Sequence, residues 1–464
     1  MGAPMDARPR RSRRKAGDGA AAKTHWIEVT IFALCIFLLT SPFTYTLISQ
    51  DPNVAVTRNL ANMRQEENSQ WLLYAVRAGV LVVAAMFMLR RWRRVIRSLR
   101  ELWPILPLAA WAAMSIIWSD DPAVTAHSVA ALISLTLATY LIALRLTPQY
   151  LGRAVILAGA MLGICSLLYV LLLPGYGVHQ HTDATQAVHA GAWRGIFIHK
   201  NFLGQTAAFF AAATFWAGPQ IIGSKVVKWG LFLFLTFLII MSTSASAIAL
   251  LPLTILLVWA TMGAGPKMRL QATIWAAPVL VAGYLSTGAV LEALGRDTTF
   301  SGRDVVWNAA FESFQAHPMA GYGFVSITYG EFSYNLMMQT GLFDPHNAFF
   351  DIALGTGAIG LAFFLILIAF SWMAGRRLVQ AGGMERQIGL ILFSVLIGWL
   401  ISDITEANDR PFSPMGALGY FAMVAMLALP RPLQSERKLG SSAGRSGGLF
   451  GSQSAPGPSR LKRR

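Results

Sequence analysis

The chain has 464 residues, 55% of them hydrophobic and only 13% charged, and its mean hydropathy is positive. A soluble protein of this length would carry about twice that share of charge, so a water-soluble globular fold is excluded. The formal net charge of +16 does not indicate nucleic acid, because the positive residues sit in the two tails and in short loops between apolar runs, a pattern of membrane orientation and of contact with anionic lipid headgroups.

Residues 1–25 form a basic tail with Arg8, Arg10, Arg11, Arg13, Arg14 and Lys15. The apolar run at 26–48 follows. It is longer than the apolar region of a secretory signal and ends in Ser-Pro-Phe-Thr-Tyr-Thr, so it reads as a retained first helix. Further runs near the ~20 residues that cross a bilayer predict helices over 71–89, 102–118, 123–144, 151–173, 199–217, 228–242, 246–262, 270–290, 348–372, 388–404 and 412–429. The expectation is an all-α polytopic membrane protein with 12 transmembrane helices over 26–429. Cys35 and Cys165 fall inside two of these runs and read as small core residues.

With the N-terminus in the cytoplasm, 30 of the 38 Lys and Arg fall on the cytoplasmic side. They cluster in the two tails and in 90–100, which satisfies the positive-inside rule and puts both termini in the cytoplasm. Two connections then lie outside, 174–198 and the long 291–346. Connections that long usually carry function. In the second, Ser301-Gly302-Arg303-Asp304 matches a capping-box start, and Trp307, Phe311 and Phe314 share one helical face. The helix stops before His317-Pro318, and Gly321-Tyr322-Gly323 makes a turn. This reads as an amphipathic helix on the outer leaflet. Residues 430–464, rich in Gly, Ser, Pro and Arg, read as a disordered basic cytoplasmic tail.

The outer face concentrates the polar residues. Pro345-His346-Asn347 stands where the long loop re-enters the membrane, with nine residues from Asn347 to Gly357 and two more to Gly360. A histidine at that boundary can act as a general base on a sugar hydroxyl, or can simply cap a helix. Gly355, Gly357 and Gly360 keep the following helix slim. Arg303 and Arg194 are two of the few outer cations. A guanidinium fork suits phosphate oxygens, though a headgroup contact or a local ion pair would also place one there. The segment Trp193 to Gly204 carries His199, Lys200 and Asn201 into the start of a span, where they face a cavity or a partner, or else snorkel outward. His179, His181, Asp183 and His189 share one loop, but nothing around them fixes a metal-binding geometry, and no metal is expected. Arg77 lies inside a span, and Asp403, Glu406, Asp409 and Arg410 cluster at the end of another. The four could orient an acceptor sugar or form a solvated turn.

Three stretches, Trp193 to Gly204, Ser301 to Gly323 and Pro345 to Gly360, resemble the O-antigen ligase and polymerase superfamily of bacterial envelopes. The His-Asn, nine residues, Gly-x-x-Gly spacing of the third matches the ligase signature. Gly-Ala-Trp-Arg-Gly-Ile-Phe-Ile-His-Lys-Asn looks like the exopolysaccharide-polymerase branch. Four residues after Arg303 the ligase pattern has leucine, where Trp307 stands here.

The resemblance implies a GT-C-like, metal-independent membrane glycosyltransferase of the bacterial inner membrane, needing no cofactor. It implies a donor glycan on undecaprenyl pyrophosphate, an acceptor glycan and contact with membrane lipids, and it leaves open a chain-length regulator. His346 would be the base, and Arg303 and Arg194 would hold the pyrophosphate. Asn347, His199, Lys200, Asn201 and Trp307 would line the substrate site. From another class, a transporter of the same lipid-linked substrates would also need many spans, but should show repeat-related halves with broken helices at the midplane.

Overall fold

The computed structural model describes residues 10–43, 71–183, 187–262, 303–328, 336, 345–404, 406 and 410–429, with backbone alone for 10–24, 71, 72, 303 and 304. The expected span at 270–290, the capping-box residues Ser301 and Gly302, most of the 291–346 loop and the tail from 430 lie outside the described residues. Among the described residues the structure is helical, apart from one isolated bridge between Val178 and Trp193.

The helices are α1 (Arg10–Leu39), α2 (Trp71–Met88), α3 (Trp92–Ser98), α4 (Leu106–Met114), α5 (Pro122–Arg145), α6 (Pro148–Leu172) and α7 (Lys200–Trp216). After them come α8 (Lys225–Met241), α9 (Ala245–Met262), α10 (Arg303–Ala316), α11 (Ala348–Ala381), α12 (Gly383–Ser402) and α13 (Pro414–Ala428). Local chemistry sets many of their starts. Asp121 accepts from the Ala123 and Val124 amides with Pro122 in the first turn, and Ser413 accepts from Gly416 with Pro414 next to it.

Among the described residues, six helical stretches are long and apolar enough to cross a bilayer: Leu73–Ile117, Pro122–Arg145, Pro148–Leu172, Ala245–Met262, Ala348–Ala381 and Gly383–Ser402. His25–Leu39 and Pro414–Ala428 are shorter apolar helices. The chain is thus a multi-pass, nearly all-helical membrane protein. The expected span at 102–118 is not a separate continuous α-helix. Pro104 lacks the amide an α-helix needs, and 99–105 runs as a 3₁₀ segment before α4. The helix at Ala348–Ala381 outlasts its expected end at 372.

The core lies where α7, α12 and α13 meet, and every residue of α13 is buried. Glycines let the helices close: Gly398 faces the Phe209 ring and Gly419 faces Trp399. One end of the bundle collects Arg90, Arg91, Arg93, Arg94, Arg97 and Arg100, all exposed, and the Arg145–Glu28 pair. There too, Arg153 stacks over Trp26 at 5.0 Å. The other end joins the turn after α1 to the segment before α13. Arg77 donates to Ser41 Oγ (2.7 Å), which donates to the Phe412 carbonyl (3.1 Å). Arg77 is 3% exposed and does not snorkel.

At this second end α11 is interrupted. Gly357 takes φ 67° and ψ −174°, and the helix resumes beyond it. Such a break leaves carbonyls to be satisfied. The Tyr322 amide donates to Leu354 O (2.9 Å), the Gly323 amide to Gly355 O (2.8 Å), and Trp111 Nε1 to Thr356 O (2.8 Å). The Ala358 amide in turn donates to Pro318 O (2.8 Å). The Gly321-Tyr322-Gly323 turn therefore docks on the break, and α10 lies beside it. Val306 and Ala310 form the buried side of α10, with Phe314 packed against Leu354 and its neighbours. Of the Trp307–Phe311–Phe314 face, Trp307 and Phe314 are half-buried and Phe311 is 51% exposed.

The connection between α6 and α7 is folded around Arg194, which is 1% exposed. Its Nε donates to Tyr176 O (2.7 Å), Nη2 to Gly175 O (2.9 Å) and Nη1 to Asp183 Oδ2 (2.9 Å). His179 Nδ1 sits 3.2 Å from the same carboxylate oxygen, and its Nε2 accepts from the Lys200 amide at 3.2 Å. Burial and the Arg194 charge push His179 down to about 4, against the pull of Asp183.

Gly357→Ala places a Cβ 2.1 Å from Met319 O at a positive φ. It should cost at least about 3 kcal/mol, read as a lower melting temperature or loss of the monodisperse protein. Gly79→Ala, with nothing within 4 Å, should not destabilise. His179 adds a pH dependence. As its folded value is depressed from 6.5 to about 4, the unfolded chain takes up the proton first as pH falls. The contribution is intact above pH 6.5 and is lost progressively toward pH 4. Melting temperature should drop across that window, and drop less in His179→Gln.

Candidate functional site

Four segments distant in the chain meet at the second end of the bundle: the start of α11, the connection after α12, the start of α7 and the α8–α9 turn. Asn347 begins the convergence as the N-cap of α11, its Oδ1 accepting from the Phe349 (3.0 Å) and Phe350 (3.2 Å) amides. Its Nδ2 donates to Ile404 O (3.2 Å), and the Ala348 amide donates to Asp403 O (2.9 Å). One turn along, Arg410 Nε meets Asp351 Oδ2 at 3.0 Å, the two side chains 13% and 1% exposed. The connection from Asp403 to Ser413 is thereby tied to the first turns of α11.

His346 precedes the cap. Its φ of 48° is left-handed, a strained backbone for a non-glycine residue. Its Nδ1 lies 3.2 Å from Glu406 Oε2, with side-chain exposures of 29% and 14%. The other oxygen of Glu406 accepts from Asn201 Nδ2 (3.0 Å), and Asn201 Oδ1 accepts from Ser244 Oγ (2.9 Å). Ser244 meets Ser246 at 3.1 Å, and Ser246 accepts from Gln205 Nε2 (3.0 Å). A polar string thus runs from the imidazole into the bundle. From the opposite side, Trp307 Nε1 donates to Pro345 O (2.9 Å), fixing the residue just before the histidine to α10.

His346, Asn347, Asn201 and Trp307 are brought together. Asn201 bridges rather than snorkels. His199 caps α7, its Nδ1 accepting from the Asn201 amide (3.1 Å), and its ring lies 5.4 Å from His179 and 5.2 Å from His189. Lys200 is 9% exposed, with Nζ 3.4 Å from Thr243 O. Arg194 stands behind this cluster, its Nε, Nη1 and Nη2 each donating to the α6–α7 connection. Arg303 opens α10, and its side chain lies outside the described residues. Among the loop histidines, His179 has both ring nitrogens engaged by protein groups.

Sequence reasoning placed Glu406 in an acidic cluster without pairing it with His346, 60 residues away. It also passed over Ser244. Neither pairing has a local signal, since both depend on which helix ends adjoin. A partly exposed imidazole with a carboxylate on Nδ1 can take a proton at Nε2, the arrangement of a general base.

Comparison with known proteins addresses the same region. Residues 230–365 match the family model described as O-antigen ligase, a stretch that includes α10, His346 and the broken start of α11. The chain is also 22% identical over 385 residues to the exopolysaccharide production protein ExoQ of Rhizobium meliloti (strain 1021), covering 77% of this chain and 86% of that protein. With an all-helical membrane fold and its polar residues gathered around His346, the chain is similar to the O-antigen ligase and polymerase family, and both similarities support a polysaccharide polymerase or ligase role.

Proposed function

We propose that this protein polymerises undecaprenyl-pyrophosphate-linked oligosaccharide repeats into exopolysaccharide or O-antigen at the periplasmic face of the bacterial inner membrane. The observation that carries the reading is His346, partly exposed, held by Glu406 and Trp307 at the end of the bundle opposite the arginine-rich 90–100 segment. Positive-inside orientation would put that segment and both termini in the cytoplasm and His346 outside. In this reading residues 26–429 form the catalytic membrane domain, between cytoplasmic tails 1–25 and 430–464.

His346 takes the proton of the acceptor hydroxyl as its oxygen attacks the anomeric carbon, and the pyrophosphate leaves with the bonding electrons. Arg303 would stabilise the leaving group. Arg194, which also holds the α6–α7 connection through Tyr176, Gly175 and Asp183, would join it in holding the pyrophosphate. Asn347, His199, Lys200, Asn201 and Trp307 shape the site.

Ligation of the lipid-linked glycan to lipid A core or protein is the second reading, favoured by the family description over 230–365. For the transporter reading, the break at Gly357 is one discontinuous helix. Its carbonyls are closed by the 318–323 turn and Trp111, which favours a fixed platform over a moving gate.

The size profile of lipid-linked glycan separates these readings in cells carrying wild type, His346→Ala or no protein. Single repeats accumulating on the carrier in both mutant and null, with chain extension reduced at least about 100-fold, fit a polymerase that needs His346. Long chains that build up on the carrier and never reach an acceptor fit a ligase. An unchanged profile with His346→Ala at normal abundance would overturn the catalytic reading.

A further inference from the structure

A carboxylate set among apolar helices is best accommodated where its oxygens have hydrogen-bond partners. Glu406 is 14% exposed, and its two oxygens are taken by different segments: Oε2 by His346 Nδ1 at 3.2 Å, Oε1 by Asn201 Nδ2 at 3.0 Å. The Ser244 hydroxyl, donating to Asn201 Oδ1 at 2.9 Å, turns the amide so that its NH₂ faces the carboxylate. Glu406 is therefore aimed, and what it is aimed at is the ring nitrogen of His346.

We propose that Glu406 is the positioning residue for His346, and that Asn201 is its anchor. The proposal rests on the reading of His346 as the base. Glu406 Oε2 accepts the Nδ1–H bond, which selects the tautomer with its lone pair on Nε2. When the acceptor O–H bond breaks, its proton passes to Nε2, the new C–O bond forms at the anomeric carbon, and the electron pair of the old C–O bond leaves on the pyrophosphate oxygen. The imidazolium formed lies against the Glu406 carboxylate, which offsets its charge. Glu406 and His199, whose ring feels the His346 charge, are titratable groups that face His346. The Asp351–Arg410 pair sits one helical turn along.

The test uses the full-length protein in lipid nanodiscs. Its substrate is lipid-linked oligosaccharide extracted from cells lacking the gene, and initial rates are followed from pH 5 to 9. Glu406→Gln should lower kcat by about 100- to 10,000-fold with KM changed only a few-fold. The acid limb of the profile should move to lower pH by about a unit, because a neutral amide no longer favours the imidazolium. If that variant does not fold, Asn201→Ala leaves the carboxylate but removes its anchor, and should lower kcat about tenfold. Wild-type kcat and an unmoved acid limb in Glu406→Gln would overturn the positioning role, as would wild-type kcat in Asn201→Ala. If His346→Ala is inactive in the same assay, the base assignment survives that outcome. Wild-type rates in His346→Ala would instead overturn the reading on which the proposal rests.

Discussion

An α-helix interrupted among apolar side chains leaves carbonyls that water cannot reach, and those of α11 around Gly357 impose the local architecture. Leu354, Gly355 and Thr356 need donors, and the Tyr322 and Gly323 amides and the Trp111 indole supply them. Satisfying them brings the Gly321-Tyr322-Gly323 turn onto the break and lays α10 along the first half of α11. Trp307 then reaches Pro345, and His346 is held from behind. An uninterrupted helix would have no call for that turn, and α10 would lack its seat.

The second constraint is the placing of charged and polar groups at the ends of an apolar bundle. Asp351 lies against Arg410, Asp183 against Arg194, and Glu406 against His346. Each pair joins a connecting segment to a helix end or to another part of the same connection. A buried ion pair is weak evidence for stability, since desolvation offsets much of the attraction, but losing one partner is strongly destabilising. In this bundle the pairs serve as registration points for the ends of helices whose apolar flanks could slide against one another at little cost.

Much of this was legible in the chain. Runs of about twenty apolar residues mark spans because length and hydropathy are local properties. The stop at His317-Pro318 and the glycine turn were equally local, and α10 ends at Ala316. The His346-Asn347 spacing to Gly357 and Gly360 pointed to the region the site occupies. What could not be read is tertiary. Phe311 shares a helical face with Trp307 and Phe314, yet neighbours the pattern does not encode leave it exposed. Arg194 suited a phosphate or a local ion pair by its type and its side of the membrane, and its bonds to Tyr176, Gly175 and Asp183 depend on how the α6–α7 connection folds. Glu406 stood among other acids, and its partner is set by which connection folds over the start of α11.

The left-handed backbone at His346 has a bearing on how this position can vary. At φ 48° a β-branched side chain is crowded by its own backbone, whereas glycine and asparagine accept the geometry readily. The residues able to occupy the site without disturbing the cap behind it are thus a narrow set. Within that set only histidine also offers an imidazole to a neighbouring carboxylate. Conformational tolerance and, in the proposed mechanism, acid–base chemistry act there as two independent filters, and on that reading substitutions that pass the first without the second should preserve the fold while silencing the chemistry.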